Sequence, residues 1–181
     1  MKKILIGTHN KGKFKEISYL ISKKIKKVSP ISLKIKSSRE TGKTFVENAK
    51  LKANYFSKFT HLPVISDDSG LCIKSLNNKP GIYSARWAKK YGSFYRAMKI
   101  ILKKIKDKKK DRSAFFICSL SFKDSEGKVT TVTGKINGSI SYKIVGGNFE
   151  QKLLPNDLLY LTTPNNTPGY ENEEVMELKS N

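Results

Sequence analysis

Short apolar runs alternate with segments of helical period through the first half of this chain. Residues 2–7 form a short β-branched run, which is typical of a buried strand. After a polar turn, apolar side chains recur at helical spacing and predict a helix that Asn10 caps and that carries lysines in its last turn. That apolar face consists of Phe14, Ile17, Leu20, Ile21 and Ile25. A strand that leads directly into a helix favours a central sheet with helices packed against it.

The rest of the chain continues this alternation and then becomes rich in strands. The predicted elements are a strand at 33–37, a helix at 44–59, a buried strand at 62–66, a helix in two pieces broken near Gly92 over 83–106, and strands at 113–123 and 128–142. Thr44 and Glu47 have the spacing of a capping box at the start of the second helix. The order of elements predicts the α/β class, a mixed sheet with flanking helices, rather than a helical bundle.

The chain is strongly basic, with 36 Lys and Arg against 15 Asp and Glu and a formal net charge of +21. Only four of the basic residues are arginines, whereas Arg is the residue that reads bases and binds phosphates bidentately. The basic run at 103–112 contains no aromatic side chain on which a base can stack. We therefore predict no nucleic-acid partner.

With 181 residues the chain has the length of one domain. Its apolar runs are far shorter than the roughly 18 residues that span a membrane, and its first residues do not have the pattern of a secretory signal. Cys72 and Cys118 lie in separate apolar runs, which favours two reduced thiols. These features predict a cytoplasmic protein without a membrane partner.

The character of the chain changes near residue 148. Residues 1–148 hold 34 basic and 9 acidic residues, whereas 149–181 hold 2 basic and 6 acidic residues and three of the six prolines. A polar segment interrupted by prolines is typical of disorder. We therefore interpret 1–148 as the α/β domain and 149–181 as an atypical tail.

The turn after the first strand carries groups that bind anions. Thr8 offers a hydroxyl, Asn10 a carboxamide and Lys13 an ammonium group at the start of a helix, where unpaired N–H groups and the helix dipole favour negative charge. The GxxxxGK[ST] pattern of a P-loop is absent. These residues alone leave two interpretations open, a phosphate site and an ordinary capped turn.

Acidic residues at the end of the predicted strand 62–66 are the second unusual feature. Asp67 and Asp68 can place one carboxylate in a cleft, to hold Mg²⁺ or to take a proton from water, with the other as its support. An Asx-type turn explains the same residues. Glu40 can supply another oxygen ligand or pair with Arg39, and Lys52 can point into a cleft or extend along the surface.

Four motifs follow one another along the chain. They are Thr8-x-Asn10-x-x-Lys13, Glu40-Thr41-Gly42-x-Thr44-Phe45-x-Glu47-Asn48-Ala49-x-x-Lys52-Ala53, Ser66-Asp67-Asp68-Ser69-Gly70-Leu71 and Pro80-Gly81-Ile82-Tyr83-Ser84-Ala85-Arg86. In this order and spacing the chain resembles the inosine/xanthosine triphosphate pyrophosphatases, which hydrolyse non-standard purine nucleoside triphosphates. Gly134-x-x-x-Gly138-x-Ile140 extends the resemblance to about residue 148.

The resemblance implies an elongated mixed α/β fold, with two lobes around a central nucleotide cleft, and a homodimer. It implies Mg²⁺-dependent attack of water on ITP, dITP or XTP, giving the nucleoside monophosphate and pyrophosphate. It assigns Asp68 as general base and as a Mg²⁺ ligand together with Glu40, and Asp67 as the supporting carboxylate. The residues that it assigns to substrate binding are Thr8, Asn10, Lys13, Lys52 and Ser69.

The resemblance ends where the charge changes. The family continues with a Phe-Gly-Tyr-Asp segment, a Lys and a Ser-His-Arg motif that frame the purine base, whereas here no His follows His61 and no Arg follows Arg112. Two explanations of the tail stay open, a shifted reading frame and a diverged, disordered C-terminus. The loss of base recognition predicts impaired hydrolysis, and the alternative function is a catalytically inactive relative that binds nucleotide or a protein partner.

Overall fold

The computed structural model describes residues 2–106, 111–142, 144 and 161–162. In chain order its elements are β1 (Lys3–Ile6), α1 (Lys11–Leu20), β2 (Lys26–Val28), α2 (Phe45–Ser57), β3 (Val64–Ile73), β4 (Lys79–Pro80), α3 (Ser84–Lys90), α4 (Phe94–Lys106), β5 (Ser113–Lys123), β6 (Val129–Ile140) and β7 (Leu161–Thr162). Strands and helices alternate first and long strands follow. The predicted α/β class is confirmed.

The strands form one mixed sheet of seven strands in the order β2-β1-β3-β5-β6-β7, with β4 also paired to β3. β1 lies parallel to β2 and to β3, and the remaining pairs are antiparallel. β3 pairs with β5 along its whole length, whereas β1 pairs only with the first two residues of β3. Beyond Ile65, one edge of the central strand β3 is therefore not covered by β1, and the polar side chains described below lie there.

Two hydrophobic clusters lie at opposite ends of β3. One contains Val64 and the other contains Leu71 and Ile73. The buried partners are Leu5, Ile35 and Phe56 in the first cluster, and Ile101, Ile105, Ala114 and Ile140 in the second. The polar segment of β3 between them separates two packed cores, which gives the two lobes that the family resemblance implies.

The strand predicted at 33–37 is wrong. The chain turns there, because the carbonyl of Pro30 accepts hydrogen bonds from the backbone N–H groups of Leu33 and Ile35, and Lys34 adopts a φ of 54°. Ile35 still reaches the core from this turn, which explains why the sequence alternates as a strand would. The second strand is β2, parallel to β1.

The first helix is shorter than predicted. α1 ends at Leu20, so Ile21 and Ile25 lie outside it, and its last turn holds no basic residue. Within the helix only Ile17 is buried, and Leu20 is 61% exposed. The chain must leave the helix early because β2 begins six residues later and pairs in parallel with β1.

The helices predicted at 44–59 and 83–106 and the strands predicted at 2–7, 113–123 and 128–142 are confirmed, whereas the strand predicted at 62–66 is β3, which continues to Ile73. The predicted cap forms at Thr44, but the return bond of Glu47 goes to the residue before it. Thr44 Oγ1 accepts a hydrogen bond from the Glu47 N–H at 3.1 Å, and a Glu47 carboxylate oxygen accepts one from the Lys43 N–H. Gly92, with a φ of 84°, separates α3 from α4. Cys72 and Cys118 are free thiols, as predicted.

The tail predicted at 149–181 lies outside the described residues except for β7, which pairs with β6. Residues 107–110 of the basic run are also outside them. In the part of the chain that the structure describes, no helix combines the length and the apolar character needed to cross a bilayer.

The backbone of β3 packs closely against Gly81 at Gly70, and a substitution there tests this packing. An added Cβ at Gly70 would overlap the carbonyl oxygen of Gly81 and lie 2.7 Å from Ser84 Oγ. Because a backbone atom cannot move aside cheaply, we expect Gly70→Ala to lower the free energy of unfolding in urea by about 1–3 kcal/mol. Gly134→Ala is the matched control, since no atom lies within 4 Å of its added Cβ. Equal stability of the two variants would contradict this packing.

Candidate active site

The acidic motif lies in the interior of β3. Asp67, Asp68, Ser69 and Gly70 pair in register with β5, so the predicted strand end and the Asx-type turn are both wrong. Gly70 allows the backbone of Gly81 to approach β3 closely. The carboxyl groups of this central strand lie where β1 has already ended, and polar side chains from two helices reach them there.

The turn after β1 brings Lys13 to Asp67. Asn10 caps α1, with its Oδ1 accepting hydrogen bonds from the N–H groups of Gly12 at 2.8 Å and Lys13 at 3.2 Å. Thr8 is buried, and its Oγ1 accepts a hydrogen bond from the Asn10 N–H at 3.2 Å. From the first turn of the helix, Lys13 Nζ reaches Asp67 Oδ2 at 2.6 Å.

In the Lys13–Asp67 ion pair the carboxylate is buried and the lysine is half-buried, with side-chain exposures of 4% and 15%. Burial by itself would raise the pKa of the Asp67 carboxyl, but the positive charges of Lys13 and Lys52 outweigh burial and lower it. Burial likewise works against the charge of Lys13, whose pKa is nevertheless raised by Asp67. Both groups are therefore charged at neutral pH.

Helix α2 supplies two polar side chains to the same cluster. Asn48 and Lys52 lie one turn apart on its buried face. Lys52 Nζ donates to the carbonyl oxygen of Asp67 at 2.6 Å and forms an ion pair with Glu40 Oε1 at 3.2 Å. Lys52 therefore points into the cluster rather than along the surface, which decides between the two interpretations of its sequence position.

Glu40 is held from two directions. Besides Lys52, the guanidinium of Arg86 on α3 donates to the Glu40 carbonyl oxygen at 2.5 Å and lies 3.9 Å from Glu40 Oε2. Glu40 therefore forms ion pairs with Lys52 and Arg86 rather than with Arg39, the partner in the alternative interpretation of its sequence position. The carboxylate retains 28% exposure, so it faces both the cluster and solvent.

The pKa of the Asp68 carboxyl is raised above its ordinary value. Burial raises its pKa to about 6, the hydrogen bond from Asn48 Nδ2 works against this, and the nearby charge of Glu40 adds to it. That hydrogen bond measures 2.9 Å, and the Ser69 N–H donates to the other oxygen at 3.1 Å. A carboxyl group that titrates near neutral pH is suited to accept a proton from water.

The donor set of the cluster fits a hard divalent cation. Glu40 and Asp68 lie near enough for the charge of one to raise the pKa of the other. Asp67 Oδ1 is buried and has no hydrogen-bond partner among the described residues. Within them no group of three or more His, Cys, Asp or Glu side chains has a metal-binding arrangement, but Mg²⁺ binds through one or two carboxylates together with substrate phosphates and water.

A sequence model of the Ham1 family matches residues 4–152, which include every residue of this cluster. The chain belongs to the Ham1 family. The dITP/XTP pyrophosphatase of Legionella pneumophila (strain Paris) is 38% identical over 151 residues, which are 82% of this chain and 77% of that protein. The dITP/XTP pyrophosphatase of Oceanobacillus iheyensis is 41% identical over 150 residues, 81% of this chain and 76% of that protein.

Solved structures of Ham1-family proteins have the same fold. A HAM1 protein from Coxiella burnetii superposes with a TM-score of 0.73 at 32% identity, covering 82% of this chain and 77% of that one. The nucleoside-triphosphatase / dITP/XTP pyrophosphatase from Mycobacterium abscessus gives a TM-score of 0.76 at 29% identity, covering 97% and 94%. The family resemblance predicted from the four motifs is confirmed.

The Ham1-family cluster contains two side chains to which the sequence analysis gave no role. Asn48 and Arg86 both stand in the motifs, yet only the structure shows that they contact Asp68 and Glu40. Asn48 had one detectable signal, because it is a polar residue next to Ala49 on the packed face of a predicted helix, one turn before Lys52. Arg86 had no such signal, since its contact depends on how α3 lies against the loop at Glu40.

Proposed function

We propose that this protein hydrolyses dITP, ITP and XTP to the nucleoside monophosphate and pyrophosphate in an Mg²⁺-dependent reaction. The observation that carries the proposal is the convergence of two ammonium groups and three carboxylates from four segments of the chain on one edge of β3. The names of the relatives, dITP/XTP pyrophosphatases, support the same reaction for this chain.

Lys13 and Lys52 are the groups that would neutralise the triphosphate. Lys52 is buried, Lys13 is half-buried, and both are paired with carboxylates, so phosphate oxygens would take the place of carboxylate oxygens around each Nζ. Thr8 and Asn10 lie in the turn before α1, where the helix N-terminus favours an anion, and Ser69 follows Asp68 on β3. These five residues form the proposed substrate contacts.

Asp68 is the proposed general base, with Asp67 behind it as support. In the proposed step the anhydride bond between the α- and β-phosphates breaks, the oxygen of water joins a phosphorus atom, and Asp68 takes the proton. Lys13 and Lys52 stabilise the charge that develops on the pyrophosphate. Glu40 and Asp68 would hold Mg²⁺, which when bound polarises phosphate oxygens and orients the triphosphate. Chelation with EDTA is therefore expected to abolish turnover.

For the location, oligomeric state and partners of the protein, the proposal keeps what the sequence predicts. We propose a cytoplasmic homodimer whose partner is a purine nucleoside triphosphate, with neither nucleic acid nor a membrane as a partner. Only four arginines among 36 basic residues support the absence of nucleic-acid binding. Size-exclusion chromatography with light scattering tests the dimer.

The choice of base is expected to be weak. The motifs that frame the purine in the family are missing after Asn148, and unpaired buried polar groups are what lets a site reject the wrong base. We predict slow hydrolysis of inosine triphosphate and little discrimination against ATP or GTP. A pyrophosphate-release assay over ITP, dITP, XTP, ATP and GTP measures this. Fast hydrolysis of ITP that Asp68→Asn abolishes would show instead that the site is complete.

The rate should depend on the ionisation of Asp68. Its pKa in the free protein is about 6, above the ordinary 3.8, and a general base works only when ionised. We expect kcat/KM, measured at Mg²⁺ concentrations low enough to leave the free protein without metal, to rise with pH through about 6 and to fall about tenfold for each pH unit below it. A profile that stays flat down to pH 5 would contradict the assignment of Asp68 as base.

A further inference from the structure

Asn48 is a fully buried amide on the packed face of α2. Burying an amide without hydrogen bonds costs on the order of 1–3 kcal/mol, so a buried Asn48 requires hydrogen-bond partners. Its Oδ1 accepts a hydrogen bond from the Gly42 N–H at 2.8 Å, and its Nδ2 donates to Asp68 Oδ2 at 2.9 Å. The opposite amide orientation would face N–H against N–H and oxygen against carboxylate, so these partners fix how the side chain lies.

The two hydrogen bonds join parts of the site that are distant in sequence. Gly42 lies two residues after Glu40 in the loop before α2, whereas Asp68 lies inside β3. A Cβ at Gly42 would lie 2.7 Å from Asn48 Oδ1 and 2.8 Å from Glu47 Cβ, so the loop reaches this distance because residue 42 is glycine. A single amide thus links the loop that carries Glu40 to the carboxylate of Asp68.

We propose that Asn48 is a positioning residue that sets the separation and orientation of Glu40 and Asp68. The inference rests on the proposed function, in which these two carboxylates hold the metal. Lys52, one turn further along α2, has a different part, because it brings charge to Glu40 and to the Asp67 carbonyl rather than joining Glu40's loop to Asp68. Side chains that orient metal-ligating groups typically change metal affinity or activity by about 10–100-fold when replaced.

The test replaces Asn48 with leucine, which has the same number and branching of side-chain heavy atoms and removes both hydrogen bonds. We expect Mn²⁺ binding, followed without nucleotide by electron paramagnetic resonance, to weaken about 10–100-fold. We expect kcat at saturating Mg²⁺ to fall by a similar factor, with KM for ITP changed less than about threefold, because none of the five proposed substrate contacts depends on Gly42. Far-UV circular dichroism and thermal unfolding establish that the variant is folded.

Asn54→Leu is the matched control. Asn54 lies on the same helix, is exposed, and accepts a hydrogen bond from Lys123 Nζ at 2.9 Å on the surface. The same substitution at this position should leave the Mn²⁺ affinity, kcat and KM at their wild-type values. A control that loses Mn²⁺ affinity as Asn48→Leu does would overturn the proposal, because any leucine on α2 would then have this effect.

Gly42→Ala tests the same link from its other end if Asn48→Leu does not fold. Its added Cβ pushes the loop away from Asn48 while the hydrogen bond to Asp68 remains. We expect weaker Mn²⁺ binding here as well, by about 10-fold. A folded Asn48→Leu or Gly42→Ala variant with wild-type Mn²⁺ affinity would overturn the role of Asn48. Absence of Mn²⁺ binding by the wild type would instead overturn the assignment of Glu40 and Asp68 as metal ligands, on which the inference rests.

Discussion

Replacing Asp68 with asparagine is expected to lower the rate of pyrophosphate release by about 10²–10⁴-fold and, at the same time, to stabilise the fold. The rate falls because an amide cannot take the proton of the attacking water. Stability rises because ionised Asp68 is buried beside Glu40, and the burial and that charge disfavour its negative form. Loss of function and gain of stability from one substitution would mark Asp68 as a group kept for chemistry.

The sign of the stability change follows from the pKa. The folded-state pKa of Asp68 is about 6 against an ordinary value of 3.8, so its favourable contribution is complete below 3.8 and is lost as the pH rises through 6. At pH 8 the difference corresponds to about 3 kcal/mol, and we expect Asp68→Asn to recover about 1–3 kcal/mol in urea unfolding without metal. Glu126→Gln, the same chemical change at an exposed turn residue, should alter neither quantity. A destabilised Asp68→Asn would contradict this account of the carboxyl.

Replacing Lys13 with methionine should have the opposite effect on stability. The change leaves Asp67 buried at 3% exposure without the ammonium group that lies 2.6 Å from it. Removing one partner of a buried ion pair typically costs about 3–5 kcal/mol, a large part of the stability of a domain. Turnover should fall as well, because Lys13 is a proposed phosphate contact.

A double variant separates the loss of the ion pair from the loss of the lysine side chain. Lys13→Met combined with Asp67→Asn removes both charges, so most of the lost stability should return while turnover stays low. Lys15→Met, an exposed lysine on the same helix, is the control and should change the free energy of unfolding by less than about 0.5 kcal/mol. Equal destabilisation in the single and double Lys13 variants would show that Asp67 is not the cause.

Local sequence patterns correctly predicted the elements that are determined by residues close together in the chain. The capping box at Thr44 marks the start of α2, and alternating runs mark β5 and β6, because these features depend on neighbouring residues. The strand predicted at 33–37 failed because a turn that places only Ile35 in the core produces the same alternation. Periodicity reports which side chains are buried, and a loop can bury one as well as a strand does.

The residues of the candidate site could be predicted from the sequence, but the contacts between them could not. The motifs named Lys13, Lys52, Glu40 and Asp68, but they placed the carboxylates at a strand end because acidic residues are rare inside a central strand. Asp67 and Asp68 can lie within β3 only because Lys13, Lys52 and Asn48 reach them from two helices. Such contacts join residues far apart in sequence, so no local pattern predicts them.

The reaction proposed for this cluster is cleavage of the bond between the α- and β-phosphates of a purine nucleoside triphosphate. Phosphorus NMR of dITP incubated with the protein and Mg²⁺ tests it directly, with Asp68→Asn measured beside the wild type. We predict that the wild type replaces the triphosphate resonances by those of the monophosphate and inorganic pyrophosphate, and that Asp68→Asn does not. Formation of the nucleoside diphosphate and orthophosphate, or an unchanged spectrum from a protein that still binds the nucleotide, would contradict the proposed cleavage.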